Sequence, residues 1–184
     1  MKERVKNLTL SSLGGIMFDP TVFDNLKVVI EGYIYEMDID HQISVTDRSD
    51  IIDLATMSRK YSISFKGIKK KRRIAKLQIE MPHHELSGEL LQTKLKPGCI
   101  VKLFFLETQD SKEYDEILYK KLKKSWGDHP VTLFLTKEIT ASSYIYHHKY
   151  QVEFQTSFGE DDLEELVKIV DYAIALLGLP SKKS

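Results

Sequence analysis

The stretch from Glu160 to Leu177 constrains the fold more than any other part of the chain. Its apolar residues Leu163, Leu166, Val167, Val170, Ala173, Ile174 and Leu177 recur at spacings of three and four, which gathers them on one face of a helix. Ser157 and Glu160 have the spacing of a capping box. Asp161, Asp162, Glu164 and Glu165 put negative charge at the positive end of the helix dipole, and Gly178 with Pro180 ends the run. Such a helix must bury its apolar face, and the segments before it supply strands.

Leu26 to Tyr35 is dense in Val, Ile and Tyr and predicts a strand central in a sheet, joined through a turn at Met37 to Asp40 to a second strand at Gln42 to Thr46. Over Asp47 to Met57 the period changes to that of a short helix capped by Ser49, with Ile51, Ile52, Leu54 and Ala55 as packing residues. Tyr61, Ile63 and Phe65 then alternate with serines, and Leu77, Ile79 and Met81 repeat the alternation, predicting a hairpin with Lys69 to Arg73 at its tip. Pro82 to Pro97 reads as a loop with a half-turn at Leu90 and Leu91. Gly98 opens a strand from Ile100 to Leu106, buried on both faces. Asp110 or Ser111 caps a helix running to Trp126, with Tyr114, Ile117, Leu118, Leu122 and Trp126 inward. Val131 to Glu138 and Tyr144 to Thr156 complete the strands, the second bent near His147 and His148.

Strands in runs, with helices inserted late, predict an α+β fold: a mainly antiparallel sheet, curved or partly closed into a barrel, packed against the long C-terminal helix, with a second helix inserted at about 111–126. The chain divides into an N-terminal arm at 1–20, one α+β domain at 21–180 and a polar tail at 181–184. At 184 residues a single core is sufficient without staples, and Cys99, the one cysteine, cannot form an intrachain disulfide. Neither a signal-peptide core nor an apolar run of about 20 residues occurs, so the expectation is a soluble, cytoplasmic protein that does not engage membranes.

Net charge is zero but unevenly distributed. Residues 66–126 hold 15 Lys and Arg against 8 Asp and Glu, while residues 1–65 and 127–184 are both acidic. Lys66, Lys69, Lys70, Lys71, Arg72, Arg73 and Lys76 place seven cations within eleven residues. Like charges this close must be solvated or neutralised by an anion. Lys69, Lys70, Lys71, Arg72 and Arg73 are therefore the candidate anion-binding residues, the arginines suited to bidentate phosphate contacts and the lysines to point-charge contacts. A nucleic-acid platform also needs exposed aromatic rings for stacking. The two nearest, Tyr61 and Phe65, fit the core. The alternative reading is a solvated hairpin tip that guards a sheet edge against pairing with other chains.

Catalytic patterns are missing from the sequence. Gly14-Gly15 has neither Walker nor dinucleotide-loop spacing, no GxSxG surrounds a serine, and Cys99 opens an apolar strand, where it reads as a buried, inert thiol. His83-His84 and His147-His148 are adjacent pairs, and neighbours on a strand point to opposite faces, so neither pair makes a chelate. Asp38, Asp40, Asp47, Asp50 and Asp53 match no calcium loop. No metal or cofactor is expected.

A basic segment, a strand, Glu85-Leu86-Ser87, then Gly98 before Val101-Lys102-Leu103, and Tyr150 to Phe154 before a helix are similar in order to a PilZ domain, a barrel that binds cyclic dinucleotides. The family's RxxxR falls on Arg72 to Lys76, with lysine for the second arginine. Its DxSxxG falls on Glu85 to Leu90, where the acid and the final glycine both differ. The reading that follows from the residues is a binding or interaction protein without a catalytic site, self-associating or engaging a protein partner. The alternatives are an anion-binding module for nucleotide or nucleic acid using the basic hairpin 66–76, and an enzyme with a pocket between the C-terminal helix and the sheet.

Overall fold

Six strands form one open antiparallel sheet in the order β1-β2-β3-β4-β6-β5. The computed structural model describes residues 21–68, 72–93 and 96–178. The expected arm at 1–20, the tail at 181–184 and Lys69, Lys70 and Lys71 lie outside them. The strands are β1 (Ile43–Asp53), β2 (Ser58–Gly67), β3 (Arg73–Met81), β4 (Ile100–Gln109), β5 (Val131–Ile139) and β6 (Tyr144–Glu153). The helices are α1 (Val22–Ile39), α2 (His83–Leu90), α3 (Glu116–Ser125) and α4 (Leu163–Leu177), the last entered through a single 3₁₀ turn at Glu160–Asp162. The α+β class and the helix packed against an antiparallel sheet are as the sequence predicts. Among the described residues β1 and β5 are the edge strands, so the sheet does not close into a barrel.

The first departure is α1. The predicted strand at Leu26 to Tyr35 is instead the middle of an 18-residue helix, and the predicted hairpin with Gln42 to Thr46 does not form because β1 pairs with β2. Thr21 caps the helix, its Oγ1 accepting from the Asp24 amide at 3.3 Å. Phe23, Leu26, Ile30 and Ile34 are buried while Val28 and Val29 are exposed, a spacing of three and four that only a helix aligns. The β-branched residues of this segment have strand propensity, and packing of the stripe against the sheet overrides it.

The second departure is the predicted helix at Asp47 to Met57, which is the outer half of β1 and a turn. Asp53 accepts from the amides of Ala55 and Thr56 at 2.9 and 3.3 Å, an Asx turn that reverses the chain into β2. Ile51, Ile52 and Leu54, expected to pack, are exposed. In the third departure, part of the predicted loop at Pro82 to Pro97 is α2, which has no apolar stripe for the sequence to reveal. Instead Glu85 Oε2 accepts from the Gly98 amide at 3.0 Å and Glu89 Oε1 from the Val22 amide at 2.7 Å.

The β2-β3 hairpin matches expectation, with Tyr61 opposite Ile79, Ile63 opposite Leu77 and Phe65 opposite Ala75. These residues, with Val101, Leu103, Phe105, Tyr150 and Val152, make the covered face of the sheet, and all are buried. On it α4 lays Leu166, Ile169, Val170, Ala173, Leu176 and Leu177, and α1 lies alongside. Ile169 and Leu176 join the predicted stripe, while Leu163, Val167 and Ile174 flank it half-buried. The expected Ser157 cap is displaced by two residues: the Asp162 carboxylate accepts from the Gly159 amide at 2.8 Å. Helix α3 likewise starts at Asp115, whose Oδ1 accepts from Ile117 and Leu118, rather than at Asp110 or Ser111. Its buried residues are Leu118 and Leu122, with Tyr114 and Ile117 exposed. Gly98 sits in close quarters where Cys99 bridges to Phe158: a Cβ there would displace the Ser157 hydroxyl, 2.2 Å away, and press on the Phe158 carbonyl at 3.1 Å.

Candidate anion-binding face of the sheet

Strand alternation sends the cations of the basic hairpin in two directions. Arg73, predicted at the hairpin tip, is the first residue of β3 and is buried on the covered face. Its Nε donates to Glu107 Oε1 at 2.6 Å, one terminal nitrogen to Asp115 Oδ2 at 2.7 Å, and the other to the Leu176 carbonyl at 3.2 Å. Asp115 also caps α3, and its amide donates to the Tyr150 hydroxyl at 2.7 Å. One guanidinium thus ties β3, β4, α3 and the end of α4 together. A charge buried this way is held by its partners and has no access to a solution anion. Arg72 is exposed, with one donor on Gln109 Oε1 at 3.0 Å.

Lys66 and Lys76 take the opposite face, which no described helix covers. Across that face the register aligns Lys66, Ile74, Leu106, Lys149 and Phe134 in one row and Ser64, Lys76, Phe104, Gln151 and Thr132 in the next. Lys149 Nζ stands 4.2 Å from the centre of the Phe134 ring and 5.8 Å from that of Phe104, a cation between two aromatic faces. Farther along the face, toward α2, lysines are neutralised: Lys60 pairs with Glu80 at 3.7 Å and Lys102 with Glu153 at 3.1 Å. Toward the hairpin tip, among the described residues, Lys66, Lys76 and Lys149 have no ion-pair partner. Glu138, farther along β5, is engaged by His147 at 2.7 Å.

Sequence reasoning does not single out Lys149, Phe104 or Phe134. Ile100 to Leu106 looks uniformly apolar, which hides that Phe104 and Leu106 alternate away from Leu103 and Phe105. A stricter period-two reading of β4 would have exposed Phe104, but only the register brings Lys149 beside Phe134.

The remaining predicted positions are dispersed. His83 and His84 are exposed on α2. His147 and His148 do point to opposite faces. His148 is buried, its Nε2 donating to the Ser111 carbonyl at 3.1 Å and its Nδ1 lying 3.0 Å from the Gln109 amide nitrogen. Among the described residues, no three His, Cys, Asp or Glu side chains are grouped to hold a metal ion. Cys99 is buried, and burial, reinforced by Glu89 and Glu85, pushes its thiol up to about 12, the opposite of what a nucleophile needs. A cavity of about 340 Å³ lies between the end of α4 and the sheet, lined by His41, Ile43, Ile68, Ile174 and Leu177 among others. Among the described residues, His41 is the one titratable side chain on its wall. No described helix is long and apolar enough to cross a membrane.

No protein-family model matches the sequence, and neither a curated protein nor a solved structure matches it.

Proposed function

We propose that this chain is a binding protein whose uncovered sheet face takes up single-stranded nucleic acid. The observation that carries the reading is Lys149 held between Phe134 and Phe104 beside Lys66 and Lys76, three lysines without carboxylate partners among the described residues. Single strands are bound by cations that follow the phosphates and by aromatic rings on which bases stack, and an open antiparallel sheet presents both in one plane. Phe134, 42% exposed, is the stacking ring, and the three lysines with Arg72 contact phosphates. Lys69, Lys70 and Lys71 lie in the sequence between Lys66 and Arg72 and add to the charge of this segment. A reducing, cytoplasmic setting fits a single buried cysteine.

The test is fluorescence anisotropy with a labelled oligothymidylate over a series of salt concentrations. Each phosphate contact contributes about 0.7 to the slope of log affinity against log salt for a single strand, so changing Lys66, Lys76 and Lys149 together to Ser should flatten the slope by about 2. Phe134→Ala should weaken binding by about tenfold with the slope kept, since stacking is worth about 1–3 kcal/mol per base. Unchanged slope and affinity in both variants would remove the reading.

A further inference from the structure

The two edges of the sheet differ in how they are protected. β1 carries Asp47, Arg48, Asp50 and Asp53 and has a register shift between Val45 and Asp47. Lys27 of α1 also reaches Asp50 at 2.7 Å, and Arg48 pairs with Glu31 of α1. Charges, an irregularity and cover from a helix are the devices that keep an edge from pairing. α3 packs near β5, but the stretch from Val131 to Thr136 has neither charge nor irregularity: it contains no proline, pairs with β6 in unbroken register, and leaves Phe134 and Leu135 42% and 48% exposed.

The direction of the free main-chain groups on β5 follows from its flanks. The Pro130 carbonyl accepts from the Glu153 amide at 3.1 Å and the Thr140 amide donates to the Ser143 carbonyl at 2.8 Å. Hydrogen-bonded positions alternate along an antiparallel strand, so even-numbered residues of β5 address β6 and odd-numbered ones, Val131 to Ile139, point their N–H and C=O outward.

We propose that β5 pairs antiparallel with β5 of a second copy of this chain, about a two-fold axis at Phe134. In that register Phe134 faces Phe134 of the second copy as a non-hydrogen-bonded, closely spaced pair. Leu133 faces Leu135, Thr132 faces Thr136, and Val131 faces Lys137. No like charges oppose, apolar side chains meet apolar ones on both faces, and about eight main-chain hydrogen bonds form. A second copy is the occupant because the strand is complementary to itself under this operation, which is what a two-fold interface demands. The pairing makes one continuous twelve-stranded face in which the two Lys149 residues stand three strand spacings, about 14 Å, apart. That consequence for ligand binding rests on the function proposed above, whereas the association does not, so it is tested on the protein alone.

Sedimentation velocity of the purified protein over a range of concentrations should give a monomer–dimer equilibrium. Leu135→Pro deletes only an outward N–H, sparing the ladder to β6, and should weaken the dimer by more than about tenfold through two lost hydrogen bonds while circular dichroism stays unchanged. Phe134→Cys should form a disulfide-linked dimer on mild oxidation and Thr136→Cys should not, with buried Cys99 silent in both. A protein that is monomeric throughout, including one that captures an extended peptide on the same edge, overturns the proposal, as does a dimer that survives in folded Leu135→Pro. Should Leu135→Pro fail to fold, the absence of a covalent Phe134→Cys dimer overturns it.

Discussion

On the covered face of the sheet, Arg73 is buried between Glu107 and Asp115 and closes the ends of two helices. On the open face, three residues farther along the same strand, Lys76 lies beside Phe104 with no carboxylate partner among the described residues. Both belong to one basic run, and strand alternation alone assigns them opposite surroundings. The covered face surrounds its one cation with the carboxylates of two other elements, because a buried charge without partners costs several kcal/mol. The open face meets water, which screens lysines at little cost, so their charge is free to meet an external anion.

The largest effect that would break this contrast is at Arg73. Arg73→Ala leaves Glu107 and Asp115 buried without their counter-ion and should cost about 3–5 kcal/mol in urea denaturation. A loss below about 1 kcal/mol would mean that the covered face tolerates uncompensated charge. The next comparison uses neighbours on β4. Leu103→Ala, on the covered face, should cost about 2–5 kcal/mol. Lys102→Ala, one residue away on the open face and paired with Glu153, should cost less than about 1 kcal/mol. Similar losses at the two sites would erase the distinction between the faces.

Titration sharpens the contrast with smaller effects. Burial pushes the Tyr61 hydroxyl up to about 12 and the Cys99 thiol to the same value. Both folded-state values lie above the unfolded ones, so the neutral forms stabilise the fold at ordinary pH, and this stability is lost as pH rises from about 9 or 10 through 12. Tyrosinate absorbance and unfolding should therefore move together in that window, with Tyr61→Phe less sensitive to alkali. The smallest change concerns Asp24, on which Arg59 sets two hydrogen bonds at 2.8 and 3.0 Å, holding its carboxyl below the usual range. A lowered value contributes stability above the unfolded pKa and loses it as pH falls. Asp24→Asn should thus flatten the acid limb of stability against pH while lowering stability at neutral pH.

Legibility followed the source of each element's order. The last helix and the β2-β3 hairpin were readable because their own periods carry their burial, as Leu166, Val170 and Ala173 do, or Tyr61, Ile63 and Phe65. α1 was misread because Val28, Val29 and Ile30 favour a strand locally, while the stripe of Phe23, Leu26, Ile30 and Ile34 acquires meaning only against a sheet. α2 was missed because two glutamates dock it through amides of Val22 and Gly98, residues distant in sequence that no period announces. Of the basic finger, the sequence located the charge but not its direction.

The sequence by itself determined an antiparallel α+β domain with its capping helix, because hydrophobic period and turn chemistry are local quantities. Tertiary structure decided which strand ends as an edge, which face stays open, and that Lys149 meets Phe134 while Arg73 meets Glu107 and Asp115. Those outcomes depend on register between distant strands, where a shift of one residue would send every side chain to the other face.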